Sequence, residues 1–181
     1  NHRENVEEAI AGDIIGIYDT GNYQIGDTLS TRKETLFFEP LPTFPPELFA
    51  LVTPKDTMKA KQFQKGVSQL AQEGAIQVYR NEYNEVIIGA VGQLQFEVFQ
   101  YRLENEYNAK IRMDRLEFSL ARWVHAEDFD TVKKMLDSRT MLVFDHFDRP
   151  LILFANQFTL NYFVEKNPDI KLLEALDVKQ F

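Results

Sequence analysis

The sequence contains no cysteine, so no disulfide can staple it and no thiolate can serve as nucleophile or metal ligand. A reducing compartment fits that absence, and the cytoplasm is the expected location. No apolar run is long enough to cross a bilayer as a helix. The opening residues Asn1-His2-Arg3-Glu4-Asn5 have neither the basic nor the apolar region of a signal peptide, and no membrane partner is expected. Basic residues are in deficit, 20 against 28 acidic ones, for a net charge of −8. That excludes the all-round basic surface of a free-standing nucleic-acid binder. DNA is not an expected partner, and any contact with a polyanion has to be a local patch.

What is present is a globular composition, 44% hydrophobic and 13% aromatic over 181 residues, enough for one or two domains with a buried core. The first segment reads as the middle of a longer protein. Residues 6–40 hold short strand-like runs, Asp13–Tyr18 and Tyr23–Ile25, punctuated by Gly12, the turn Asp19-Thr20-Gly21-Asn22 and Gly26-Asp27. Four prolines then fall within Pro40–Pro46, removing donors and fixing φ, which predicts a stiff linker over residues 41–46.

Beyond the linker the hydrophobic period alternates. Leu48–Thr53 reads as a strand, and Lys59–Gln72 as a helix with Phe63, Val67, Leu70 and Ala71 on one face, stopped by Gly74. Ile76–Arg80, the turn Asn81–Asn84 and Val86–Val91 follow, then a helix over Gln93–Tyr107 and a strand over Lys110–Met113. The order β-α-β-β-α-β is the ferredoxin-like split motif, so the expected class is α+β, with residues 47–181 as one domain. In the second helix Leu94, Val98 and Tyr101 lie on one side, and Phe96, Phe99, Leu103 and Tyr107 nearly opposite. Two buried faces are expected, one against the sheet and one against Leu116–Phe181. That last stretch adds further α/β elements. Phe118–His125 and Ile170–Leu173 read as strands, Asp128 as the cap of a short helix through Leu136, and Met141–Phe144 with Leu151–Phe154 as a hairpin; Asn156 caps a helix to Lys166.

Three constellations invite chemistry. Gly89-Ala90-Val91-Gly92 joins a strand to a helix, where a phosphate loop could sit, but the next residues are Gln93 and Leu94 rather than the Lys and Ser/Thr that reach phosphate and magnesium. Close strand-to-helix packing is the expected use of these glycines. His125 with Glu127 and Asp128, and Asp145-His146-Phe147-Asp148, match no metal-ligand spacing, and a solvated loop is expected at Asp145–Pro150. Lys55, Lys59, Lys61 and Lys65 crowd the first turns of a helix, where its dipole favours carboxylates. Stability does not ask for them, so they are the candidate contact with RNA phosphate, beside the simpler reading of a polar face.

The residues also resemble a known family. Val6–Gly16 with Ile25–Leu29 is similar to the end of the second, β-barrel domain of translational GTPases. Pro46–Phe49, Lys65-Gly66, Gln69-Leu70, Glu73–Val78, Gly89–Val98, Arg102-Leu103, Glu106–Asn108 and Ala121–Val124 together resemble the peptide chain release factor 3 family. The translocation elongation factor usually has a Glu-Leu-His type helix start where this chain has Gln93-Leu94-Gln95. The resemblance implies that residues 1–40 end a β-barrel domain and that the parent is a GTPase of translation termination. It further implies GTP or GDP and magnesium in a preceding domain, and as partners the ribosome, with its RNA and protein, and the codon-reading release factor. For the chain itself it implies no cofactor, no metal and no catalytic residue. The rival readings are the matching domains of an elongation-factor-like ribosomal GTPase, an independent RNA or protein adaptor, and a small metal-dependent hydrolase using the histidines.

Overall fold

In the computed structural model, which describes residues 4–23, 26–34, 45–74 and 76–174, the apolar runs after Pro46 become strands and helices in the expected order. These are β1 (Leu48–Pro54), α1 (Ala60–Gln72), β2 (Gln77–Asn81), β3 (Val86–Ala90), α2 (Gln93–Glu106), β4 (Ile111–Leu116), β5 (Leu120–Val124), α3 (Phe129–Lys133), β6 (Thr140–Phe144), β7 (Pro150–Phe154), α4 (Gln157–Lys166) and β8 (Leu172–Leu173). The strands form one sheet in the order β4-β1-β3-β2-β6-β7-β5-β8. Every strand pair among the described residues is antiparallel, with registers such as Ala50↔Ile88 and Leu142↔Ile152. The chain divides into Asn1–Glu39 and Pro40–Phe181.

Local chemistry explains the boundaries. Asp56 accepts a hydrogen bond from the Met58 amide and opens a single 3-10 turn, Thr57–Lys59, ahead of α1. Gly74 ends α1 at φ 77°, a backbone state that glycine adopts without strain. Asn156 caps α4 by accepting from the Thr159 amide at 2.9 Å. Asp128 stands at the N-cap of α3, but its side chain makes no capping bond.

Three clusters make up the core. Ala50, Val52, Ile88, Phe63, Val67, Leu70, Phe96, Phe99 and Leu103 join α1 and α2 to one face of β1 and β3. Val124, Val132, Ile152, Phe154, Leu160 and Phe163 join α3 and α4 to one face of β5 and β7. Phe49, Tyr79 and Ile87 from the first half meet Val143, Leu151 and Leu153 from the second. The sheet therefore turns its two helix-free faces toward each other, and among the described residues its halves are joined edge to edge only at Arg80↔Phe144 and Asn81↔Val143.

The further α/β elements are themselves a second split motif. β5-α3-β6-β7-α4-β8 repeats the first six elements, and its strand order β6-β7-β5-β8 mirrors β4-β1-β3-β2 about the β2–β6 seam. From Asn81 and Asp145 onward the halves align without a gap. Asn81 Oδ1 accepts from the Tyr83 and Glu85 amides, and Asp145 Oδ1 from the Phe147 and Arg149 amides. Asn84 and Asp148 are both left-handed, at φ 61° and 59°. Gly92 and Asn156 are the corresponding N-caps.

Three expectations are corrected. The side of α2 bearing Leu94, Val98 and Tyr101 is exposed, because the second half packs on the sheet and not on this helix. Asp13–Tyr18 forms no strand among the described residues, and Ile14, Ile15, Ile17 and Tyr18 are exposed; a strand needs a neighbour for its amides and carbonyls, and residues 4–23 and 26–34 offer none. The turn Asp19–Asn22 does form, with the Asp19 carboxylate accepting from Gly21 and Asn22. Gln24, Ile25 and the linker residues 40–44 lie outside the described residues. The last strand is confined to Leu172–Leu173.

Candidate functional site

At the strand-to-helix turn the two glycines differ in role. A Cβ on Gly89 would stand 2.9 Å from Pro46 Cβ and 3.2 Å from the Tyr79 ring, so this glycine makes room for the segment before β1 and for β2, not for a helix as expected. Nothing lies within 4 Å of a Cβ on Gly92, which is the N-cap of α2 in extended conformation. Two of the amides that could cradle phosphate there are taken. Gln95 Oε1 accepts from Val91 N at 2.6 Å and from Gly92 N at 3.1 Å. A neutral carboxamide thus fills the place an anion would need.

The four candidate lysines occupy three places. Lys61 and Lys65, one turn apart, lie on the solvent face of α1, opposite Phe63, Val67 and Leu70. Lys59 ends the 3-10 turn, is the N-cap of α1 without a side-chain capping bond, and is partly covered. Lys55 follows β1, and its amide donates to the Lys110 carbonyl at 2.9 Å. Among the described residues none of the four makes an ion pair. The β1–β4 register adds exposed Lys110 and Arg112 to the end of the sheet that carries Lys55. Sequence reading missed these two, since only the register Thr53↔Arg112 brings them there. Arg112 is partly neutralised by Asp114 at 3.0 Å.

The Asp145–Pro150 turn holds no metal set; among the described residues no group of three or more His, Cys, Asp or Glu could hold an ion. Nor is it simply a solvated loop. The Asp145 side chain is almost fully covered, because its Oδ2 accepts from Trp123 Nε1 at 3.0 Å and Arg149 Nε at 2.8 Å while Oδ1 holds the turn amides. Beside it Tyr79, buried and donating to Gln77 Oε1 at 2.5 Å, has its phenol pushed up by burial and then by the Asp145 charge. His146 and Phe147 stack at the exposed tip, 3.8 Å between ring centres.

The outward faces of the first two helices differ sharply. On α1 it is Lys61, Gln64, Lys65, Ser68 and Gln72. On α2 it is Leu94, Val98 and Tyr101, 70%, 43% and 67% exposed, continued by Val91 ahead of the helix. At the C-terminal end of α2, Arg102 donates to both Glu73 and Glu106. Hydrogen bonding to Arg102 holds the Glu106 carboxyl below its ordinary value. No described helix is long and apolar enough to cross a membrane.

The model of the family described as class II release factor RF3, C-terminal domain, matches residues 38–164. Among curated proteins the chain is similar to peptide chain release factor 3 of Streptococcus uberis, 54% identical over 175 residues, 96% of this chain and 34% of that one. It is likewise similar to the proteins of that name from Enterococcus faecalis, 58% identical over 94% of this chain and 32% of theirs, and Listeria monocytogenes, 57% over 96% and 33%. The chain spans about a third of the length of these curated relatives.

Proposed function

The chain belongs to the family of class II release factor RF3 C-terminal domains, and from that membership we propose that it is the docking part of a GTP-dependent translation-termination factor. In this reading the parent binds GTP or GDP with magnesium in another domain. It engages the ribosome in the cytoplasm after peptide release and promotes departure of the codon-reading release factor. This chain contributes contact and no hydrolysis. Residues 1–40 are the end of a β-barrel domain, whose other strands supply the neighbours that Asp13–Tyr18 needs.

The family match over residues 38–164 carries the reading. The Gln95 side chain seated on the Val91 and Gly92 amides supports the non-catalytic part, because it occupies two of the donors that the strand-glycine-helix turn could offer a phosphate. The lysines on α1 and at the end of β1 are the proposed contact with ribosomal RNA.

Two measurements test it together. Calorimetry of the isolated chain with GTP is expected to show no saturable heat; micromolar binding would sink the non-catalytic assignment. Lys59→Glu with Lys61→Glu places carboxylates in the first turn of α1, so the isolated chain should gain up to about 1 kcal/mol per site. The full-length parent carrying the same changes should bind ribosomes more weakly, with a log–log salt slope shallower by roughly two for two lost phosphate contacts. Unchanged affinity and slope would make these lysines a solvated face.

A further inference from the structure

The outer face of α2 is the feature that neither folding nor the proposed RNA contact uses. Val91, Leu94, Val98 and Tyr101 form an apolar line, its helical part ~10 Å long at 1.5 Å per residue. Its exposure follows from the architecture. The opposite side of α2 already fills the space over the sheet with Phe96, Phe99 and Leu103, and the second half of the molecule is committed to the other face of the sheet. The polar outward face of α1, in the same layer, shows that the fold does not require an apolar one. The equivalent positions of α4, Phe158 and Tyr162, are also exposed, but there Lys166 covers the Tyr162 ring at 5.6 Å. Among the described residues no cation covers the α2 line in that way.

The charge around the line is one-sided. Glu97 and Glu104, three residues on from Leu94 and Tyr101, flank one edge, and Glu73 and Glu106 stand at the C-terminal end of the other. The one guanidinium among them, Arg102, is already spent on Glu73 and Glu106. Arg115 lies at the far, N-terminal end, held by Gln93 and stacked on Phe96. An RNA phosphate would be repelled from this rim, and an acidic protein likewise. A helix with a Leu-like face edged by Lys or Arg would bury the line and meet the carboxylates at the same time.

We propose that the outer face of α2, with its rim of Glu97 and Glu104, is a docking surface for a basic amphipathic helix of a protein partner. The probe is a synthetic amphipathic peptide of Leu and Lys, titrated into the 15N-labelled chain at low salt, beside its Leu/Glu analogue and a short RNA hairpin. Leu/Lys peptide is expected to shift the amides of residues 91–105. Leu94→Ser with Val98→Ser should weaken that binding about tenfold or more, and Glu97→Gln with Glu104→Gln about threefold, an effect erased by high salt. Leu94 and Val98 are exposed, so the first pair should melt as the unaltered chain does; if it does not, the second pair, which removes no apolar surface, decides. No shift at millimolar peptide would overturn the proposal. So would shifts centred elsewhere, equal binding of the Leu/Glu analogue, or RNA acting on residues 91–105.

Discussion

Asp145 shows how much one carboxylate can hold. It closes its own turn through two backbone amides, anchors Arg149 and satisfies the indole of Trp123 on another strand. Asp145→Ala leaves the indole N–H without its partner in a nearly covered place and opens the turn. The expected loss is about 2–4 kcal/mol, read as a shift in urea midpoint with little change in slope. A change under half a kcal/mol would mean water replaces the carboxylate at no cost. Tyr79 beside it gives an alkaline prediction. Its folded phenol value lies above the ordinary 10.0, mainly through burial. The fold therefore favours the neutral phenol. Its contribution is complete below pH ~10 and falls away as pH rises through the raised value. Absorbance at 295 nm should show one tyrosine that ionises only as the chain unfolds, and Tyr79→Phe should remove that step. Sequence made the turn legible, through Asp145-His146-Phe147-Asp148-Arg149-Pro150. The burial of Asp145 was not, because its partner Trp123 is distant in sequence and arrives only through the pairing of β5 with β7.

At the scale of elements, α1 was legible because its apolar residues all lie on one side, while α2 misled because periodicity reports where apolar residues are and not whether anything covers them. Its second face looked like core and is surface. The contact between the two helices turns on Gly66, where an added Cβ would lie 2.5 Å from Leu103 Cδ2 and 2.8 Å from Tyr107 Cγ. Leu103 is fully buried and Tyr107 is tied by its hydroxyl to Gln69 Oε1, so neither can step aside cheaply. Gly66→Ala gains up to about 1 kcal/mol of helix propensity. Against that stands overpacking of about 1–3 kcal/mol. The overlap is severe and its partners are held, so the steric term is expected to win, lowering the melting temperature. A more stable Gly66→Ala variant would show that the helices separate freely, and would remove close approach as the reason for glycine here.

For the whole molecule, the first split motif was legible from order and period, whereas its repetition was not. Between residues 81–100 and 145–164 the only identities are Ile88/Ile152, Gln93/Gln157 and Phe99/Phe163, and α3 and β8 have five and two residues where α1 and β4 have 13 and six. Shape is kept by turn geometry and by the alternation of buried positions, which tolerate almost any apolar residue. The repeat fixes what truncation would do. Ending the chain at Arg115 leaves the cluster of Phe63, Phe96, Phe99 and Leu103 intact, since all its members precede the cut. It strips Val143, Leu151 and Leu153 from Phe49, Tyr79 and Ile87, exposing an apolar sheet face. The truncated chain is thus expected to keep helical circular dichroism, bind a hydrophobic dye and associate in sedimentation. Phe49→Thr with Ile87→Thr should restore solubility to the truncated chain, and the same pair in the full chain should destabilise it by several kcal/mol. If the truncated chain stayed monomeric without them, the two helix-free faces would not depend on each other, and the halves would be separate domains joined at a strand edge.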